Sequence, residues 1–329
     1  MNFNFQFPGF EQIENKTKPL MESVIYDVII IGGGPSALTA AVYCLRKGLK
    51  TGLITKDFGG QIIETSVVEN YMGYKYIEGV TLAQKFKQQV EQFDLSITFN
   101  VKVEKVINDE IKKIFCSDGK RYLAKSIIIS TGKRWKTLNV PGEKELTGKG
   151  VAYCAICDAP LFKDKTVIVV GGGNSAVEAA IDLGKVARKV TLVQNIDKLT
   201  ADKVLIDKLN KLNNLEILYS HTISKINGNN LVESVEIHDL KNDRFFEIKA
   251  DGVFIEIGLI PNSEPFEGIV AMNQYKEIIV DCGCKTSAEG IFAAGDVTSV
   301  PFKQIIIAAG EGAKAALSAC EYVLNKKEE

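Results

Sequence analysis

One arrangement occurs twice in this chain, and it restricts the possible folds more than any other feature. Tyr26 to Ile31 is an unbroken apolar run that enters Gly32-Gly33-Gly34-Pro35-Ser36-Ala37 and then a helical pattern from Leu38 to Leu45. Thr166 to Val170 does the same, through Gly171-Gly172-Gly173-Asn174-Ser175-Ala176 into Val177 to Leu183. An apolar run without alternation is a strand buried on both faces, as in a parallel sheet covered by helices. Gly32 permits the tight turn, Gly34 lets backbone approach a pyrophosphate, and the small Ala37 lets helix and strand pack closely. A pyrophosphate in such a loop sits on the unpaired N–H groups of the helix start. Two copies of strand, loop and helix point to an α/β chain with two nucleotide sites.

Just ahead of the second copy stand Cys154 and Cys157, with Asp158 directly after them. Cys-x-x-Cys beside a βαβ unit reads as a redox pair. A zinc site would need two further ligands. Cys44, Cys116 and Cys320 are scattered and Cys282-x-Cys284 has the wrong spacing, so no metal is assigned. Cys282 and Cys284 fall on alternate positions of an expected strand and read as structural, and His221 and His238 have no acid–base partner in the sequence. Trp135, the only tryptophan, reads as a packing residue at an interdomain hinge. Gly290 to Thr298 places Asp296 after a short buried strand, where it could cap a helix or accept a hydrogen bond from a ribityl hydroxyl. Lys303 and Gln304 then open a last helix.

At 329 residues the chain has room for two domains. Its 40 basic and 41 acidic residues balance to a net charge of -1, which excludes a broad basic surface for nucleic acid or membrane. No apolar run approaches the roughly 20 residues that span a bilayer. An odd number of cysteines and an N-terminus lacking a basic-then-apolar signal argue for the reducing cytoplasm. Residues 1 to 23 read either as a leader or as an arm whose Phe3, Phe5, Phe7 and Phe10 pack on this chain or a partner.

From about Tyr26 to Val323 the chain resembles the low-molecular-weight thioredoxin reductases, and still more the C-terminal flavoprotein core of the alkyl hydroperoxide reductase flavin subunit. The segments that carry the resemblance are GGGPSA (32–37), FGGQI (58–62), VEN (68–70), CAICD (154–158), GGGNSAVEAAIDL (171–183), IGLIPN (257–262) and FAAGDVTSVPFKQIIIAAGEGAKA (292–315). It implies two Rossmann-like nucleotide-binding domains, the second inserted into the first: an FAD-binding domain over 24–135 plus 254–329, and an inserted redox domain over 136–253. It also implies a homodimer. Gly32, Gly34, Pro35, Gly60, Gln61, Asn70, Gly295, Asp296 and Gln304 fall at FAD-contacting positions. Cys157 is expected to face the flavin and Cys154 to attack a partner disulfide. Asp158, whose charge would repel a thiolate, is expected to act as proton shuttle; a helix cap is its structural alternative.

The second nucleotide site departs from the pattern. A Rossmann unit should show an acid for a ribose diol, or an arginine for a 2′-phosphate, roughly 20 residues past the glycines. Here Lys189 to Val193 ends in Gln194-Asn195-Ile196-Asp197-Lys198, without the His-Arg-Arg and downstream Arg of the NADPH-using reductases. The peroxide-reductase relatives, which prefer NADH, carry Glu where this chain has Gln194. Two donors therefore stay open: reduced ferredoxin, as in the pyridine-nucleotide-independent thioredoxin reductases, and NADH on a weakened site. The lost basic cluster ranks ferredoxin first. The peroxide-reductase relatives carry a tandem-thioredoxin domain where this chain has at most 23 residues, so the expected acceptor is a separate thioredoxin or similar redoxin. The expected activity is FAD-dependent reduction of that protein's disulfide. A flavin-binding redox sensor without turnover is the non-enzymatic alternative, and an oxygen-consuming NADH oxidase a further one.

Overall fold

A computed structural model describes residues 18–65 and 68–326, with the backbone alone described for Glu64, Ile156 and Cys157. Phe3, Phe5, Phe7 and Phe10, proposed above as an arm, lie outside the described residues. The chain begins with β1 (Ile25–Ile31), α1 (Pro35–Arg46), β2 (Thr51–Thr55), α2 (Gly79–Val90), β3 (Ser96–Phe99), β4 (Val103–Ile107), β5 (Lys112–Cys116), β6 (Arg121–Ile129) and β7 (Lys133–Trp135). It continues through β8 (Val151–Ala152), the one-turn α3 (Ala155–Asp158), β9 (Thr166–Val170), α4 (Asn174–Gly184), β10 (Lys189–Gln194), α5 (Lys203–Leu209) and β11 (Leu215–Tyr219). It ends with β12 (His221–Asn227), β13 (Ser234–Asp239), β14 (Arg244–Lys249), β15 (Gly252–Ile255), β16 (Leu259–Pro261), β17 (Ile291–Ala293) and α6 (Ile305–Asn325). Two units result. The first gathers the described residues up to Ile63 with Glu69–Arg134 and those from Ile260 on; the second holds Trp135–Leu259.

In the first unit the strand order is β3-β2-β1-β6-β5-β4, with β17 also on β6. β1 lies parallel to both β2 and β6, which is why its apolar run is continuous. Val28 and Ile30 point to one face, where they join Ala37, Leu38 and Ala41 of α1 and Ala315 and Ala319 of α6. Ile29 and Ile31 point to the other, among Tyr26, Ile127 and Ile129. The long β6 serves two neighbours, antiparallel to β5 over its first residues and parallel to β17 over Ile127 to Ile129.

The second unit contains the five-stranded sheet β11-β10-β9-β15-β8, whose strands all run parallel, and the antiparallel sheet β12-β13-β14. Val167 and Val169 face the Ala176, Val177, Ala180 and Leu183 stripe of α4. Ile168 and Val170 face Ile223, Val235 and Ile237 of the antiparallel sheet. The strand β9 is thus covered on both sides, as its sequence required.

The strand expected around Cys282 and Cys284 does not form. The Asp281 carboxylate accepts the N–H groups of Gly283 and Lys285 at 2.9 and 2.8 Å, a side-chain turn that competes with strand backbone. Cys284, with φ +63°, is turned into the core while Cys282 is exposed. Among the described residues no helix is long and apolar enough to cross a membrane.

Candidate redox and nucleotide sites

The first glycine loop is shaped by close approach. Gly32 has φ +130°, and a Cβ there would lie 2.1 Å from the Ser130 carbonyl oxygen, so no other residue fits. Gly34 is extended and caps α1, with Pro35 taking the first helical position, where a missing N–H costs nothing. The nearest atom to a Cβ on Gly34 is the Gly59 carbonyl oxygen at 4.0 Å, so the space above the helix start is open. Gly59 donates its N–H to Gly33 at 2.8 Å, which lays the 58–61 turn against the loop. Gln61 then presents a buried Nε2 that has no hydrogen-bond partner among the described residues.

Other residues singled out in the sequence converge in the same unit. Asn70 Nδ2 donates to Gln304 Oε1 at 3.1 Å, and Gln304 stands directly before α6 rather than inside it. Gly295 donates its N–H to Glu311 Oε2 at 2.8 Å, leaving Glu311 Oε1 buried without a partner among the described residues. Burial pushes the Glu311 carboxyl up, against the pull of the Gly295 N–H, Lys303 and Lys314. Asp296 does not cap α6, which starts nine positions later in the chain. Burial raises its carboxyl, and Lys303 and Lys133 pull it back down. Both lysines flank Glu277, at 3.8 and 2.6 Å.

In the second unit, Gly171 repeats the geometry of Gly32, with φ +132° and a would-be Cβ 2.4 Å from the Glu256 carbonyl oxygen. Gly173 is extended and caps α4, as Gly34 caps α1. The surroundings differ. A Cβ on Gly172 would meet Gln194 Nε2 at 2.2 Å, so the amide lies across the loop. That amide is engaged locally, donating to Lys198 O at 3.1 Å and accepting from Asn195 N–H at 3.1 Å. Thr200 donates its N–H to Gly172 O at 2.8 Å, and Asn174 and Asp202 exchange hydrogen bonds of 2.9 and 2.8 Å at the helix start.

The cysteine segment follows β8, which pairs with β15, which in turn pairs with β9. Its approach is pinned: Tyr153 stacks on Trp135 with ring centroids 5.9 Å apart and donates its hydroxyl to Glu143 Oε1 at 2.8 Å. Glu143 also accepts the N–H groups of Leu138 and Asn139 at 3.0 and 2.7 Å. Trp135 is therefore a packing residue. Cys154 is extended, stands directly before α3 and is disulfide-bonded. The side chain of Cys157 lies outside those described. Asp158 closes α3, half-buried, and its side chain does not cap the 3-10 turn that follows.

Glu256 is a site residue that motif reading passed over. Its Oε1 accepts the Ala155 N–H at 3.3 Å, at the start of the cysteine helix. Burial pushes its carboxyl up to about 7; the Ala155 N–H opposes that shift and the neighbouring Glu178 adds to it. The signal was a lone acid inside the apolar run from Val253 to Ile260. His221 and His238 have acidic neighbours after all, Asp239 at 3.9 Å and Asp243 at 2.7 Å, and they lie on the antiparallel sheet. Cys284 is held well above the ordinary thiol range, to about 11, chiefly by burial, in keeping with a structural role.

Two glycine cradles on parallel sheets, with a disulfide cysteine beside the second, define an α/β disulfide oxidoreductase. A family model described as pyridine nucleotide-disulphide oxidoreductase matches residues 26–312, and the chain belongs to that family. The alkyl hydroperoxide reductase flavoprotein of Escherichia coli K12 is 44% identical over 307 residues, 92% of this chain and 59% of that protein. The chain thus spans about three fifths of the length of the curated relatives it matches. The crystal structure of thioredoxin reductase from Streptococcus pyogenes is 37% identical with a TM-score of 0.82, covering 92% of this chain and 99% of that one. A ferredoxin-flavin thioredoxin reductase from Clostridium acetobutylicum is 32% identical with a TM-score of 0.52, covering 93% and 100%. Proteins of this family use FAD, and the open space over Gly34 and the unpartnered Gln61 Nε2 fit a dinucleotide at the first cradle.

Proposed function

We propose that this chain is an FAD-dependent reductase in which Cys154 and Cys157 form the exchanging disulfide, NADH is the donor, and the acceptor is the disulfide of a thioredoxin-like protein. The reading is carried by a disulfide cysteine placed one strand away from a second preserved glycine cradle. Unit one is the FAD-binding domain and unit two the inserted redox domain. Gly32, Gly34 and Pro35 hold the pyrophosphate at the start of α1. Gly60, Gln61, Asn70 and Gln304 contact the flavin end, while Gly295 and Asp296 meet the ribityl chain. When bound, FAD supplies the two-electron relay between donor and disulfide. Cys154 attacks the acceptor disulfide to give a mixed disulfide, Cys157 resolves it, and Asp158 exchanges the proton of the leaving thiol. The protein acts as a homodimer in the cytoplasm.

The sequence ranked reduced ferredoxin above NADH. The second cradle supports the reverse order, because Gly171 and Gly173 keep the turn and open helix start that a pyrophosphate needs. A site no longer binding a nucleotide has no reason to exclude side chains at Gly171. The family description, which names pyridine nucleotides, points the same way. Ferredoxin stays as the second reading, supported by the locally engaged Gln194 amide and by the likeness to the Clostridium enzyme. Anaerobic addition of NADH, NADPH or reduced ferredoxin to the flavin-loaded protein separates them. NADH is expected to bleach the flavin fastest; bleaching by ferredoxin alone overturns the assignment of donor.

A further inference from the structure

Glu256 occupies a position where three features meet. Its backbone belongs to the second cradle: its N–H donates to Val170 O at 2.9 Å, and its carbonyl oxygen crowds Gly171. Its side chain leaves the cradle and reaches α3, where Oε1 accepts the N–H of Ala155 at 3.3 Å. That nitrogen is bonded to the carbonyl carbon of Cys154. Standard bond lengths then place the carboxylate within roughly 8 Å of the Cys154 sulfur, about one Debye length. Glu178 on α4 adds a second negative charge on the same side. Facing these acids from the cysteine segment are Cys154 itself and Asp158; the turn from Val170 to Gly173 brings no titratable side chain.

We propose that Glu256 is a proton-exchanging positioning residue of the Cys154 centre, holding the Ala155 N–H and setting by its own charge how readily the reduced cysteine becomes a thiolate. When ionised, it occupies a backbone N–H at the start of the cysteine helix and repels a sulfur anion. When protonated, it does not repel. Because burial brings its titration to about 7, both forms exist near neutrality. Reduction and protonation are then linked. Two electrons from a dithiol or from reduced flavin break the S–S bond; one sulfur takes a proton and the other remains a thiolate. That new negative charge draws a second proton from water onto Glu256, so that two electrons and two protons are taken up in all. When the thiolate attacks a disulfide, its charge leaves with the displaced sulfur and Glu256 returns its proton.

The inference rests on the reading of Cys154 as part of the redox pair, but its test needs no flavin chemistry, donor or acceptor protein. The full chain is reduced with dithiothreitol, freed of it, and alkylated with iodoacetamide between pH 5.5 and 9.5, with modification of Cys154 followed by mass spectrometry of its peptide. The wild-type rate is expected to rise in two steps, the lower near pH 7. In Glu256→Gln, which keeps an oxygen for the Ala155 N–H and loses the charge, the lower step vanishes and the midpoint falls by about half a unit to one unit, a roughly three- to tenfold faster reaction below the midpoint. Glu256→Asp keeps the charge and two steps. A profile unchanged in Glu256→Gln overturns the proposal, since a hydrogen bond that merely braces the backbone would survive in that variant. If that variant fails to fold, a single step in the wild-type profile overturns it equally. Shifted profiles in a protein that reduces no redoxin would leave the inference standing and remove the reductase reading; turnover with unmoved profiles does the converse.

Discussion

Replacing Glu256 by glutamine also changes how stability depends on pH, with a sign fixed by burial. The carboxyl titrates near 7 in the folded protein against about 4.5 in an unfolded chain, so the folded state binds the extra proton between those values. Its favourable contribution is complete below about 4.5 and is lost as pH rises through 7. Urea denaturation at pH 5 and pH 8 is expected to show a smaller difference for Glu256→Gln than for wild type, the variant being more stable at pH 8 by on the order of 2 kcal/mol. Equal losses in the two proteins would show that the folded carboxyl titrates normally. Cys154→Ser makes a different demand: reduction of a thioredoxin-like substrate is expected to fall to background while FAD stays bound, and unchanged turnover would remove the dithiol from the mechanism. Residues of the first kind are hard to read in a sequence and those of the second easy. Cys154, Gly32 and Gly171 announce themselves by spacing and by backbone constraint, whereas Glu256 acquires its character only when folding buries it beside Ala155. Glu311 is another such case, an acid in a small-residue helix whose meaning is its contact with Gly295.

At the scale of elements, the helix α6 completes the first cradle by lying against the start of α1, and one glycine makes that possible. A Cβ on Gly312 would stand 2.1 Å from the Ser36 carbonyl oxygen, a backbone atom that cannot move aside without displacing the helix start. Gly312→Ala is expected to destabilise by about 3 kcal/mol and to weaken FAD binding at least tenfold, because overpacking shifts the N–H groups that meet the pyrophosphate. Gly310→Ala, in the same helix with nothing within 4 Å of its new carbon, is expected to be neutral or stabilising by up to about 1 kcal/mol. Thermal unfolding and FAD titration of the two variants check the contrast, and similar behaviour in both would detach α6 from the cofactor site. Both βαβ units were legible because a continuous apolar run, a glycine turn and a 3.6-residue pattern coincide. The strand expected at Cys282 to Cys284 was not, because alternation of two cysteines is weaker than the turn made by Asp281. Whether Gly252 to Ile255 would join the first sheet or the second was also hidden, since an apolar strand carries no label for its neighbour.

Over the whole molecule, each unit has apolar clusters of its own on both faces of its parallel strands, so each can unfold around its own core. The repeated motif in the sequence foretold two such units, but the return of the chain to the first unit after Leu259 could be reached only through family resemblance. No local pattern says that residues near the end complete a sheet begun at Ile25. FAD, bound by the first cradle, should stabilise the first unit by mass action, about 2.7 kcal/mol at a free concentration one hundred times its dissociation constant. Two probes separate the units. Release of flavin into solution reports the first, and Trp135, the only tryptophan, stacked on Tyr153 within the second, reports the other. Heating the protein at increasing FAD concentrations is expected to raise the flavin-release midpoint by several degrees and leave the tryptophan midpoint in place. A tryptophan transition that climbs in step with flavin release would mean that the two cores melt as a single cooperative body. The redox pair in the second unit would then be stabilised by the cofactor of the first.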